Sequence, residues 1–169
     1  MYKADRMYQE MMALDQQIKA LQPDGDETVT EYFRLYTLLI YNYAWLGSLY
    51  DIYDPDAVIL LGNGRQLHGA AEMVQNTTQL LAAFPDLHLT LADIFVTPRD
   101  NGYQLYRRFY LDGTNLGFSP YGAPTGKPLE GRKALCQSMS TLERKPDGWK
   151  ITREFTMYPE EWLQQVCAP

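Results

Sequence analysis

The stretch from Trp149 to Tyr158, WKITREFTMY, sets one carboxylate among β-branched and aromatic residues, the composition of a strand. On a strand Thr152, Glu154 and Thr156 share a face. A carboxylate facing a pocket can take an acidic proton from carbon beside a carbonyl and, once protonated, return it. A solvated or salt-bridged strand glutamate is the other reading of Glu154. Trp149, Ile151, Phe155 and Met157 occupy the opposite parity; if that face lines the core, Arg153 points inward, and a bulge would reverse the choice. Arg108 and Tyr110 share a strand face and suit either an enolate or carboxylate oxygen or ordinary cross-strand pairing. Asn115 reads as a pocket donor or a turn former. His68 reads as a proton carrier at a pocket mouth or as a structural residue before Gly69. His88 falls on the strand face opposite Leu87, Leu89 and Leu91. The two histidines lack the HxxxH or HxxE spacing of metal ligands, so no metal site is predicted.

These residues need a scaffold. Met7, Met11, Leu14, Ile18 and Leu21 repeat at alternating steps of four and three, the stripe of an amphipathic helix docked on its own domain or on a dimer mate. Residues 22–26 break it. Thr28 and Glu31 then read as a capping box opening a second helix that runs to about Trp45. That helix has little polar face and suits the centre of a wrapped sheet. Asp54-Pro55-Asp56 reads as a turn feeding a strand over Ala57 to Leu61, and a helix over Gly69 to Phe84 ends at Pro85. Strands are predicted at about 87–97, 103–112 and 131–144, with the opening stretch as the fourth. Asp100-Asn101-Gly102 and Pro146-Asp147-Gly148 supply the hairpin turns. The Gly- and Pro-rich segment from Asp112 to Gly131 reads as a long loop. Helices first and antiparallel strands afterwards predict an α+β fold, with an N-terminal helix (1–25) ahead of one domain (26–169).

The chain has 169 residues, 21 acidic against 15 basic side chains, and a net charge of −6. Arg107-Arg108 and Arg132-Lys133 are too sparse to form a phosphate-binding surface, so no nucleic-acid partner is expected. The longest apolar stretch, Leu38 to Leu49, is too short to span a bilayer and no membrane role is expected. Two cysteines without CxxC spacing fit a reducing, cytoplasmic setting. Thirteen tyrosines suit an aromatic-lined pocket, a tyrosine-rich core or a dimer face.

Tyr53-Asp54-Pro55-Asp56-Ala57-Val58, His68-Gly69, Phe84-Pro85-Asp86-Leu87-His88-Leu89-Thr90, Arg108-Phe109 with Gly113-Thr114, Pro124-Thr125-Gly126-Lys127 and Asp147-Gly148-Trp149-Lys150-Ile151 follow one another in an order that resembles the SnoaL-like polyketide cyclase family, within the broader nuclear transport factor 2-like fold. The resemblance covers residues 30–165. It implies a cone-shaped domain, a curved antiparallel sheet around helices, a homodimer formed through the sheet, and a pocket for a small apolar carbonyl compound. It also implies carboxylate acid–base chemistry of the cyclase, isomerase or lyase kind without metal or organic cofactor. It places Thr156 where the family has its catalytic aspartate and Ser138 near its assisting histidine, with Glu154 the nearest substitute base. His68, Arg108, Tyr110 and Asn115 are the expected substrate contacts. The alternative is a non-catalytic domain on the same fold that binds a hydrophobic ligand or dimerises.

Overall fold

The computed structural model describes residues 3–130 and 135–169. Helices α1 (Lys3–Ala20), α2 (Asp26–Tyr43), α3 (Leu49–Ile52), α4 (Gly69–Ala83) and α5 (Glu160–Cys167) accompany seven strands. These are β1 (Tyr53–Leu61), β2 (Gln66–His68), β3 (His88–Arg99), β4 (Gly102–Thr114), β5 (Pro128–Leu129), β6 (Leu135–Lys145) and β7 (Gly148–Met157). The strand predicted from 131 is seen from Leu135; its first residues and the Arg132-Lys133 cluster lie outside the described residues. The sheet is curled into a half-barrel with strand order β2-β1-β7-β6-β4-β3, β5 joining β4. Every neighbouring pair is antiparallel except β1 and β7, which run parallel. Most of the domain separates those two strands in sequence, so no hairpin dictates their relative direction.

The concave face closes on α2 and α4. From α2 it receives Val29, Phe33, Tyr36, Leu39 and Ile40, and from α4 Ala70, Met73 and Leu80, all buried. Helix α1 packs along α2 through Met11, Leu14 and Ile18, so its apolar stripe is met within its own chain. Helix α2 begins two residues before the predicted cap. Gly25 is the cap position, and Thr28 Oγ1 accepts the Gly25 N–H at 3.0 Å from inside the first turn. Glu31 takes no part in capping and instead forks onto Arg34. The segment from Asp112 to Gly131 is less irregular than expected, because Gly113 and Thr114 pair with Leu129 and Pro128. Helix α5 was not anticipated: its inward Leu163, Val166 and Cys167 make a single i, i+3, i+4 set, too short to stand out as periodic. No helix among the described residues is long and apolar enough to cross a membrane.

Two glycines combine a positive φ with no room for a Cβ. At the entry to α4, Gly69 has φ +69° and a Cβ there would meet the Pro55 carbonyl oxygen at 2.2 Å, which explains the glycine after His68. At the β3–β4 hairpin Gly102 has φ +148°, and a Cβ would lie 2.1 Å from the Leu142 carbonyl oxygen. Gly102→Ala is expected to cost about 1–3 kcal/mol, read as a lower urea midpoint. An unchanged midpoint would mean that β4 can move off β6 without penalty.

Candidate functional site

A bulge decides what faces the interior. Thr141 pairs with Arg153 whereas Leu142 pairs with Ile151, leaving Thr152 as an extra residue on β7. The extra residue resets the alternation. Ile151 and Glu154 are therefore both buried, while Arg153, Phe155 and Met157 are exposed. This settles the parity left open by the sequence in favour of Glu154. On β4 the buried set is Leu105, Arg107, Phe109 and Leu111, and on β6 it is Cys136, Ser138, Ser140 and Leu142. The inner face is thus apolar towards both ends of its strands and polar in the middle.

That polar centre is a closed network around an ion pair. Arg107 Nη2 lies 2.7 Å from Glu154 Oε2, with the two side chains 6% and 2% exposed. The same carboxylate oxygen accepts Ser140 Oγ at 2.7 Å and Tyr53 OH at 3.0 Å. Arg107 donates through Nε to Ser138 Oγ at 3.0 Å and through Nη1 to Thr37 Oγ1 at 3.2 Å. Thr37 passes its own proton to the Phe33 carbonyl at 2.7 Å. Tyr41 and Tyr158 share a hydroxyl–hydroxyl bond of 2.8 Å and feel the charges of both Arg107 and Glu154 or of Glu154 alone. Taking two charges out of water costs several kcal/mol per ion, and the pair is tolerated because Glu154 Oε2 and all three guanidinium nitrogens also meet fixed hydroxyls.

Of the predicted site residues, Glu154, Ser138 and Thr156 meet on this inner face. Ser138 and Thr156 are direct cross-strand partners, both buried. Arg108 does not join them: odd-numbered residues of β4 point inward here, so Arg108 lies on the outer face and pairs with Asp93 at 2.6 Å. Tyr110 shares that outer face, half-buried. His68 is exposed at the start of α4, its N–H donating to Glu72 at 2.8 Å and its ring beside Gln66 at 3.1 Å. Asn115 is buried but works on the loop after β4: it donates to the Ala83 carbonyl at 3.1 Å and accepts Thr125 N–H at 2.9 Å. His88 is exposed, as expected of a sheet-surface residue. No group of three or more potential metal ligands is gathered among the described residues.

Sequence reasoning missed Arg107, Ser140, Tyr53 and Thr37. The signal for Arg107 was present: it shares its alternating set with Leu105, Phe109 and Leu111, and an arginine on an apolar strand face demands a buried partner.

Electrostatics make the cluster sensitive to base. Burial opposes the charge on Arg107, but Glu154 and the neighbouring Tyr53 and Tyr41 more than offset it and raise its pKa. Burial also raises Tyr53 and Tyr158 well above the usual phenol value, and Tyr41 to about 12. A phenol whose folded pKa is raised stabilises the native state below its unfolded value near 10, and that stability is lost as pH climbs towards the folded pKa. Unfolding free energy should therefore begin to fall near pH 9, where the unfolded Cys136 thiol ionises while burial pushes the folded one up, and fall more steeply between about pH 10 and 12, with no tyrosinate absorbance from these residues before unfolding. Stability unchanged through that window would mean the phenols are solvated.

Removing one charge is the sharper test. Glu154→Gln strands the guanidinium and should cost about 3–5 kcal/mol in denaturant unfolding, whereas Arg107→Met with Glu154→Leu should recover most of that loss. Equal destabilisation by the single and double changes would mean the pair is not coupled.

Known proteins resemble this chain in fold. No family model matches it, and no curated protein matches its sequence. Solved structures do match in fold. An NTF2-like superfamily protein from Salmonella enterica serovar Typhimurium LT2 superposes with a TM-score of 0.62 at 14% identity, over 79% of this chain and 89% of that one. A candidate SnoaL-like polyketide cyclase from Jannaschia sp. CCS1 gives 0.57 at 12% identity, over 79% and 90%. A ketosteroid isomerase-like protein from Erwinia carotovora atroseptica SCRI1043 gives 0.52 at 19% identity, over 77% and 93%. The chain therefore has the NTF2-like α+β cone fold, and at these identities the likeness is one of fold.

Proposed function

We propose that this chain is a non-catalytic NTF2-like assembly domain, in which the Arg107–Glu154 pair is structural and the outer sheet face joins two copies. The observation that carries the reading is Arg107 Nη2 at 2.7 Å from Glu154 Oε2. A carbonyl substrate would need a carboxylate oxygen within about 3 Å of its acidic carbon, and one of the two, Oε2, is already taken by a guanidinium, a hydroxyl and a phenol. With Thr156 in the place of a carboxylate, Glu154 is the one inner-face acid on β7.

The outer face supplies the partner surface. Leu60, Phe155, Met139, Tyr106 and Phe95 are successive cross-strand neighbours on β1, β7, β6, β4 and β3. Four of them are 40–51% exposed, Tyr106 is half-buried, and the Phe95 and Tyr106 rings lie 5.1 Å apart at a tilt of 36°. This apolar ridge crosses five strands between two more polar rows, one carrying Arg153 and Gln104, the other Gln137 and the Arg108–Asp93 pair. A single dry stripe with a polar rim containing both signs of charge suits a self-complementary contact.

Sedimentation should give a dimer for the natural chain and a monomer for Met139→Glu, with about a hundredfold or greater loss of association and unchanged folding by circular dichroism. A monomeric natural chain would end the assembly reading. Turnover of β-keto esters or ketosteroid-like compounds that Glu154→Gln abolishes while circular dichroism shows the variant folded would restore the acid–base reading in its place.

A further inference from the structure

Among the described residues three methionines are exposed: Met7 on α1, Met139 on β6 and Met157 at the end of β7. Met73 lies in the core. The two cysteines, which carry the other oxidisable sulfur atoms, are buried, and burial pushes both thiols above their ordinary pKa. A thiol attacks a peroxide as its thiolate. The cysteine sulfurs are thus shielded twice, by burial and by protonation, and an oxidant in solution meets the exposed thioethers first.

Of the three, Met139 holds a distinct place. It is the middle member of the apolar ridge, with Phe155 opposite it on β7 and Tyr106 opposite it on β4. Of the five ridge side chains it alone carries sulfur. A contact with two-fold symmetry uses the same patch on both copies, and the middle of the stripe lies nearest the axis, so Met139 of one copy comes against Met139 of the other. Met157 stands in the row beside the ridge, opposite Gln137. Met7 belongs to a helix that packs on α2 and takes no part in the sheet.

We infer that Met139 is a modification site: oxygen transfer from a peroxide to its thioether turns the centre of the ridge polar and releases the two copies. The inference rests on the ridge joining two copies. The sulfur lone pair attacks one peroxide oxygen and the O–O bond breaks, so that hydrogen peroxide yields methionine sulfoxide and water. Sulfur gives up two electrons and the peroxide takes them. The sulfoxide oxygen enters a stripe that offers it only apolar neighbours, and it does so twice in each contact. Association itself shields the sulfur, so the free copy is the form that reacts, and oxidation then holds it free. The fold is spared, because Met139 faces outward while Ser138 and Ser140 on either side of it keep the inner face. Methionine sulfoxide reductases reverse the step.

The full-length natural chain, treated with hydrogen peroxide below its dimer midpoint and then freed of oxidant, tests the inference by peptide mass and sedimentation. Peptides holding Met7, Met139 and Met157 should gain oxygen and the one holding Met73 should not. Association should weaken about tenfold or more with circular dichroism unchanged, and should return after incubation with both methionine sulfoxide reductases and dithiothreitol. Oxidation of Met139, unlike that of Met7, should slow as protein concentration rises through the midpoint. Met7→Leu with Met157→Leu should lose association on oxidation as the natural chain does, whereas Met139→Leu should associate equally before and after treatment. Complete oxidation of Met139 with sedimentation unchanged, a weakening that follows Met7 or Met157 instead, failure of the reductases to restore association, or loss of the fold would each overturn the inference. An untreated chain that is already monomeric removes the assembly reading and this inference with it; a dimer indifferent to oxidation removes this inference alone.

Discussion

A guanidinium and a carboxylate set 2.7 Å apart in the middle of the domain bind the architecture together more stringently than any apolar contact. Apolar side chains tolerate exchange and small shifts at modest cost; an unpaired buried charge does not. The pair with its hydroxyls draws on Thr37 of α2, Tyr53 of β1, Arg107 of β4, Ser138 and Ser140 of β6, and Glu154 of β7. A one-residue slip of any of these strands would turn its contribution to the other face and leave a charge or a donor stranded. The central strands β4, β6 and β7 are therefore fixed in register at one point, and the seam where β1 lies parallel to β7 is tied at the same point through Tyr53.

The bulge at Thr152 gives that constraint its form. Without it, Ile151 and Glu154 could not share the inner face. One extra residue lets the first half of β7 offer Ile151 to the core and the second half offer Glu154 and Thr156 to the polar centre. The same switch pushes Phe155 and Met157 outward, so the exposed ridge and the buried ion pair are two consequences of one local irregularity. Sheet edge and sheet face then divide the work: the interior is closed by hydrogen bonds, and the apolar surface left over faces solvent where another chain can reach it.

Most of the scaffold was legible from local signals. The stripe of α1, Pro85 after α4, and the two glycine hairpins each leave a mark that depends on neighbouring residues alone. The start of α2 was misread because Thr28 and Glu31 satisfy a capping pattern in sequence, while in space Glu31 meets Arg34 first and Gly25 takes the cap. The site was harder to read for a physical reason. Whether Glu154 or Arg153 faces inward depends on a bulge fixed by pairing with β6, and whether Arg107 or Arg108 does depends on the register of β4, where the two arginines are adjacent. Arg108 looked like the functional one because it shares a strand face with Tyr110, yet the apolar parity of Leu105, Phe109 and Leu111 pointed to Arg107.

Position 156 shows how chemistry and packing trade against each other on this scaffold. Thr156 lies beside Ser138, whose hydroxyl already receives Arg107 Nε. A carboxylate at 156 would bring a second negative charge onto the same buried guanidinium, which at this depth could neutralise only one of them. With threonine there, this cluster carries one cation and one anion and needs no substrate, water or proton to balance it. A catalytic centre of this fold needs the opposite condition: an acid whose partner set is incomplete until substrate arrives. Glu154 Oε2 has three donors in place, and these are the same bonds that hold the strands in register.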